Sequence, residues 1–245
     1  MRQALITGRL VFLQAWRGNL LPAMLLVMLP LFYAVWAFET ANPGFQTGFI
    51  ADVGGSVMTL LAGILVIVLG FEHYFWPRGQ RPPWFFFSRM SNRSFFAAGR
   101  FLGVMSVILA GLLLAAGVFL AMLRLSEGRW YFSLLTTVLL VFYEAALMGA
   151  IFQLLASVFS RLMATGLLMV VFVAGHNMAG LRASLDFAGP AGDLLLAVLP
   201  DLTLLRGAWF SDVDLAIIAS VSLYTMLQTL FYLAATGLVL QRQDL

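Results

Sequence analysis

Residues 101–123 read FLGVMSVILAGLLLAAGVFLAML, a run of 23 positions without a charged side chain. About 20 apolar residues make a helix long enough to cross the hydrocarbon core of a bilayer. A helix suits that medium because it hydrogen-bonds its own backbone where no water is present. The pattern recurs six times, at Leu20–Phe38, Val53–Phe71, Phe101–Leu123, Phe132–Val158, Leu162–Met178 and Leu215–Leu240. Only 10% of the residues are charged, against about 25% in a typical soluble domain, so the surface is built for lipid. The expected fold is an all-α polytopic membrane protein, a single transmembrane domain of six helices over residues 1–245. The first run is longer than the roughly 7–15-residue core of a signal peptide and has no convincing A-x-A site after it, so it reads as a retained span. Only Phe159 to Arg161 separate the fourth and fifth runs, which predicts a tight helical hairpin.

Two absences remove whole classes of chemistry. The chain has no cysteine, and therefore no disulfide, thiolate nucleophile or thiolate-bound metal. It also has no lysine: all 14 basic residues are arginine. A G-x-x-x-x-G-K-[ST] phosphate loop and a Schiff-base lysine are excluded with it. The net charge of +3 is small, and the arginines sit at span ends rather than in a stripe, which argues against nucleic acid.

Arginine placement gives the orientation, because cytoplasmic loops carry the excess of basic residues. With the N-terminus inside, ten arginines (2, 9, 17, 78, 81, 89, 93, 100, 161 and 242) lie on the cytoplasmic side. The outer side then holds Arg124, Arg129, Arg182 and Arg206. Six spans bring the C-terminus back inside. Ahead of the first span, residues 1–18 form a modestly amphipathic helix, with Arg2, Arg9 and Arg17 on one side and Leu5, Phe12 and Trp16 on another. That is the pattern of a helix lying on the inner leaflet, with membrane lipid as its partner. Between spans five and six, Ala179–Asp214 carries apolar pieces too short to cross, broken by Asp193, Pro200 and Asp201. Short re-entrant or interfacial helices on the outer side are expected there.

The loop from Glu72 to Arg100 is the one sizeable cytoplasmic surface. Its first half, EHYFWPRGQRPP, is rich in proline and should be irregular. Trp84–Met90 can form a short helix, and Ser91 or Asn92 can cap the helix that follows. The arginines of this loop satisfy the basic-inside bias on their own. They also fit a docking surface for a cytoplasmic partner.

The stretch SRMSNRSFFAAGRFLG resembles the corresponding loop of type-2 ABC transporter permeases. There Ser-Arg-Pro-x-Ser-Arg precedes a Gly-Arg or Gly-Lys at the start of the third span. Ser88, Arg89, Arg93, Gly99 and Arg100 fall at matching places. Met90 replaces the usual proline and Asn92 the usual serine. Of the acidic lead-in, only Glu72 is present. ASVFSRLMATGLLM resembles the family's turn between spans four and five, LAVLPDLTLL its outer segment, and QRQDL its ending. The resemblance implies a permease subunit of an ABC exporter, paired with a second copy of itself in the bacterial inner membrane. Both termini are then cytoplasmic. Separate cytoplasmic ATP-binding cassette subunits bind ATP and magnesium, so this chain needs no cofactor of its own and is not an enzyme. A periplasmic accessory protein is a further partner. The first inner loop holds a coupling helix, and Glu72, Arg89, Arg93, Gly99 and Arg100 form the dock. Gly99 and Gly103 make a G-x-x-x-G that lets helices approach closely.

Glu144 lies near the middle of span four, where an ionised carboxylate is costly unless it faces a cavity or a partner. It reads either as a polar lining of the transport path, or as a structural contact made through Tyr143, Gln153 or a residue elsewhere. His73 and His176 fall at opposite ends of their spans, roughly 20 Å or more apart, so they cannot share a metal and each reads as a lone polar group. The 12 methionines are scattered through most spans, as filler rather than as a metal path. An intramembrane enzyme and a non-transporting scaffold subunit are the alternatives. Neither G-x-S-x-G nor H-E-x-x-H occurs.

Overall fold

A computed structural model describes residues 2–18, 29–30, 32–34, 37, 47–75, 93–127, 133–185, 189–206 and 215–242. These residues are mostly helical, with no strand among them. The helices are α1 (Arg2–Arg17), α2 (Thr47–His73), α3 (Arg93–Glu127), α4 (Ser133–Val158), α5 (Arg161–His176), α6 (Met178–Leu185), α7 (Pro190–Val198), α8 (Thr203–Arg206) and α9 (Leu215–Arg242). Four of them, α2, α3, α4 and α9, are long and apolar enough to cross a membrane, and α5 with α6 makes a fifth if that bent pair is one span. The described residues thus form an all-helical fold with the helices of a multi-pass membrane protein. Most of the first expected span, Leu20–Phe38, and the expected coupling helix Trp84–Met90 lie outside the described residues.

The fourth apolar run becomes the centre of the bundle. α4 packs against α2, α3, α5, α8 and α9, and 67% of its apolar window is buried, against 22% for α9. In lipid the hydrophobic effect gives helices little reason to associate, so close van der Waals fit must do it. The fit at α4 comes from large side chains set against small ones. Phe152 is fully buried and sits over Gly70, where an added Cβ would come within 2.4 Å of its ring. Phe71, Tyr74 and Phe75 surround the same ring at centroid distances of 5.7–6.2 Å. Gln153 then donates to the Ala97 carbonyl at 2.8 Å, fastening α4 to α3.

The fifth run departs from expectation. It stops at His176 rather than running through Met178, and α6 leaves at 89°. With 16 residues, α5 is about 24 Å long, short of the roughly 30 Å of a hydrocarbon core. Asn177 forms the elbow, its N–H reaching both Val173 and Ala174 carbonyls at 3.1 Å. The Gly175 carbonyl accepts from the Leu202 N–H at 3.1 Å, and Leu202 is fully buried against it. The connection beyond Ala179 does hold short helices, as expected. The break falls at Leu199 to Leu202, and Asp193 sits inside the first turn of α7. Asp201 caps α8, its Oδ1 accepting from the Thr203 N–H at 3.1 Å, while Arg182 reaches its Oδ2 at 3.5 Å. Tyr224 of α9 accepts from the Asp201 N–H at 2.7 Å, and Tyr232 donates to the Val198 carbonyl.

Candidate functional site

Two places gather polar side chains with a purpose beyond helix packing. The first is the end of the bundle where α2 stops and α3 starts, here called the near end. Of the residues expected to form a dock, Glu72, Gly99 and Arg100 are described. Arg89 lies outside the described residues, and of Arg93 only the backbone, at the start of α3, is described.

Glu72 and Gly99 share a neighbour that sequence reasoning had placed on the lipid surface: α1. Its buried positions, Ala4, Val11 and Ala15, recur with Gly8 at helical spacing and form a narrow face of small side chains. That face crosses α3 at the G-x-x-x-G. A Cβ added at Gly99 would lie 2.6 Å from the Ala4 carbonyl oxygen, and one at Gly103 would lie 2.6 Å from the Val11 Cβ. At Gly8 it would lie 3.1 Å from the Gly99 carbonyl oxygen. The two backbones therefore touch, and only glycine permits it. Farther along α1, Gln14 Nε2 donates to Glu72 Oε1 at 3.0 Å, and Glu72 Oε2 stands 3.9 Å from His73 Nε2. Arg100 stacks over the Phe96 ring at 4.8 Å, and its charge acts on His73 and Tyr74. α1 thus braces the ends of α2 and α3, while Leu5, Ile6, Leu10 and Trp16 on its other face stay exposed.

The second place is the middle of the bundle. Glu144 is buried, with its carboxylate Oε1 3.3 Å from His176 Nε2 on α5. His176 was expected to be a lone polar group; instead it is the partner of the intramembrane carboxylate. The hairpin explains the pairing. Ser160, in the turn, is equidistant in sequence from Glu144 and His176, and residues equidistant from the turn of an antiparallel hairpin lie at the same depth. That symmetry was available in the sequence, and it is the signal that would have found the pair. Tyr143 and Gln153 are engaged elsewhere, Tyr143 with Ser222 at 2.9 Å and Gln153 with Ala97.

The tautomer of His176 follows from its other contact. Nδ1 stands 2.9 Å from the Phe172 carbonyl oxygen. A carbonyl only accepts, so Nδ1 carries the hydrogen and Nε2 is left to face Glu144. Beside the pair lies a cavity of ≈ 160 Å³ between α2, α4 and α5, lined by Thr59, Gly63, Glu144, Met148, Leu168 and Phe172 among others. Its walls are apolar apart from Thr59 and Glu144. Among the described residues no group of three or more His, Asp or Glu could hold a metal ion. No protein-family model matches the chain, and no curated protein matches it.

Proposed function

We propose that the chain is the membrane-spanning permease subunit of an ATP-driven ABC exporter, working as a homodimer above two separate ATP-binding cassette subunits. The observation that carries this reading is the order and spacing of four short stretches along the whole sequence. They are SRMSNRSFFAAGRFLG, ASVFSRLMATGLLM, LAVLPDLTLL and QRQDL. A chain without lysine has no phosphate-loop lysine of its own, so ATP and magnesium belong to the partner.

The near end gives such a partner something to act on. Residues 74–92 join the last turn of α2 to the first turn of α3, so a force on them reaches both helices at once. The α1 brace holds those two ends in register through Gln14–Glu72 and the glycine crossing. In this reading Arg89 and Arg93 meet acidic or carbonyl groups of the ATPase. Both termini face the cytoplasm of a bacterium, with α1 against the inner leaflet. An intramembrane enzyme is the second reading. One observation favours it: Glu144 has a basic partner.

Purification decides between the two. The permease brings down an ATP-binding subunit, and Arg89→Glu with Arg93→Glu releases that subunit while the chain still inserts in the membrane. If the doubly changed chain binds its ATPase as before, the dock has been assigned to the wrong residues. If the native complex contains no nucleotide-hydrolysing subunit, the function itself is wrong.

A further inference from the structure

We propose that Glu144 and His176 form a one-proton site that exchanges its proton for a small organic cation: an apolar body bearing a single ammonium, seated in the cavity between α2, α4 and α5. The inference goes beyond the exporter reading and needs no ATPase.

Two buried polar atoms at this site lack a hydrogen bond. Glu144 Oε1 and His176 Nε2 have no hydrogen-bond partner among the described residues, although they lie 3.3 Å apart. His176 Nδ1 already carries a hydrogen, so one further proton between Nε2 and Oε1 makes the pair electrically neutral. In lipid that is the tolerable state. With that proton gone, the carboxylate is a bare buried charge and needs a cation. Among the described side chains, the other ionisable groups on the helices packed around α4 supply none. Glu72, His73, Arg100 and Arg161 sit at the near end, with Arg161 over the Phe75 ring. Arg124 ends α3, and Arg242 ends α9. Tyr143 is bound to Ser222, Tyr224 to Asp201, Tyr232 to Val198, and Arg182 to Asp201.

The cavity indicates what kind of cation fits. Its volume of ≈ 160 Å³ is close to the roughly 150 Å³ cavity that holds benzene in an engineered protein. Leu60, Ile64 and Met169 line it and are exposed, so the mouth opens sideways between α2 and α5. Thr59 lines it too, and its Oγ1 is buried without a partner among the described residues. A helical threonine ordinarily gives its hydroxyl to the carbonyl four residues back; this one does not. While the pair is closed, both oxygens are sealed beneath the cavity wall. Loss of the proton frees the Glu144 carboxylate to turn into the cavity, where it and Thr59 can accept from an ammonium. The exchange balances: the neutral pair and R–NH3+ become carboxylate–ammonium, a neutral imidazole and one released proton.

The test uses the full chain in phosphatidylcholine nanodiscs near neutral pH, with tritiated benzylamine as the probe and a pH indicator in weak buffer. Saturable binding is expected, with one proton released per amine bound and no displacement by benzyl alcohol. Glu144→Gln should weaken binding roughly tenfold or more and abolish proton release. Gly63→Leu should weaken it to a similar degree by filling the cavity. An added Cβ at Gly63 meets nothing within 4 Å, so the new side chain starts in open space and away from the pair, and helical circular dichroism checks that the fold is kept. If Glu144→Gln fails to fold, Gly63→Leu and the proton count on the unaltered chain decide. Absence of saturable binding, binding without proton release, displacement by benzyl alcohol, or unchanged binding by Gly63→Leu would each overturn the proposal.

Discussion

The near end and the middle of the bundle solve the problem of joining helices in lipid by opposite means. At the near end, α1 and α3 meet through absence: glycines at 8, 99 and 103 remove side chains until carbonyl oxygens and Cα atoms touch. In the middle, α4 and α5 meet through two polar groups that each need the other. The first contact is steric, indifferent to pH and intolerant of added volume. The second is electrostatic and tolerant of volume, since a cavity lies beside it, but it is intolerant of losing one partner. A brace suits the first kind of contact. A site that changes state suits the second.

Substitutions can break that contrast. The largest effect should come from Gly99→Leu with Gly103→Leu. Overpacking a tight contact typically costs about 1–3 kcal/mol and occasionally more, and here two residues collide with backbone and Cβ atoms. The helix α1 should detach, seen as protease cleavage within residues 2–17 while the spans remain folded. Next, Glu144→Leu leaves the His176 Nε2 buried and alone. The expected cost is about 1–3 kcal/mol, read from unfolding in mild detergent. Smallest is Gln14→Ala. Its bond to Glu72 is exposed, so removal should cost about 0.5 kcal/mol. A loss as large as that of the glycine pair would mean that the brace is held mainly by polar bonds.

The two regions also differ in how far the sequence reveals them. The crossing was legible in outline, because G-x-x-x-G spacing puts both glycines on one helix face. Its partner was not: small positions in a basic helix do not say which neighbour they serve, and lipid was the nearer inference. The apolar runs at α2, α3, α4 and α9 were legible to within a few residues, or to six and eight where α2 and α3 begin early, because hydropathy and length fix such spans. The end of the fifth run was not, since Met178, Ala179, Gly180 and Leu181 continue the apolar pattern past Asn177. What stops the helix is a tertiary bond, Leu202 N–H to the Gly175 carbonyl, and composition does not register it. Glu144 was singled out by cost alone. His176 was passed over because each span was read by itself, without folding the hairpin about Ser160.

A double-mutant cycle on Glu144→Leu and His176→Leu, measured by unfolding in mild detergent, tests the buried pair most directly. If the two groups satisfy each other, the doubly changed protein recovers part of what each single change costs, with a coupling of about 1–3 kcal/mol. If the two changes add to within about 0.5 kcal/mol, Glu144 and His176 act independently, and the one-proton site does not exist.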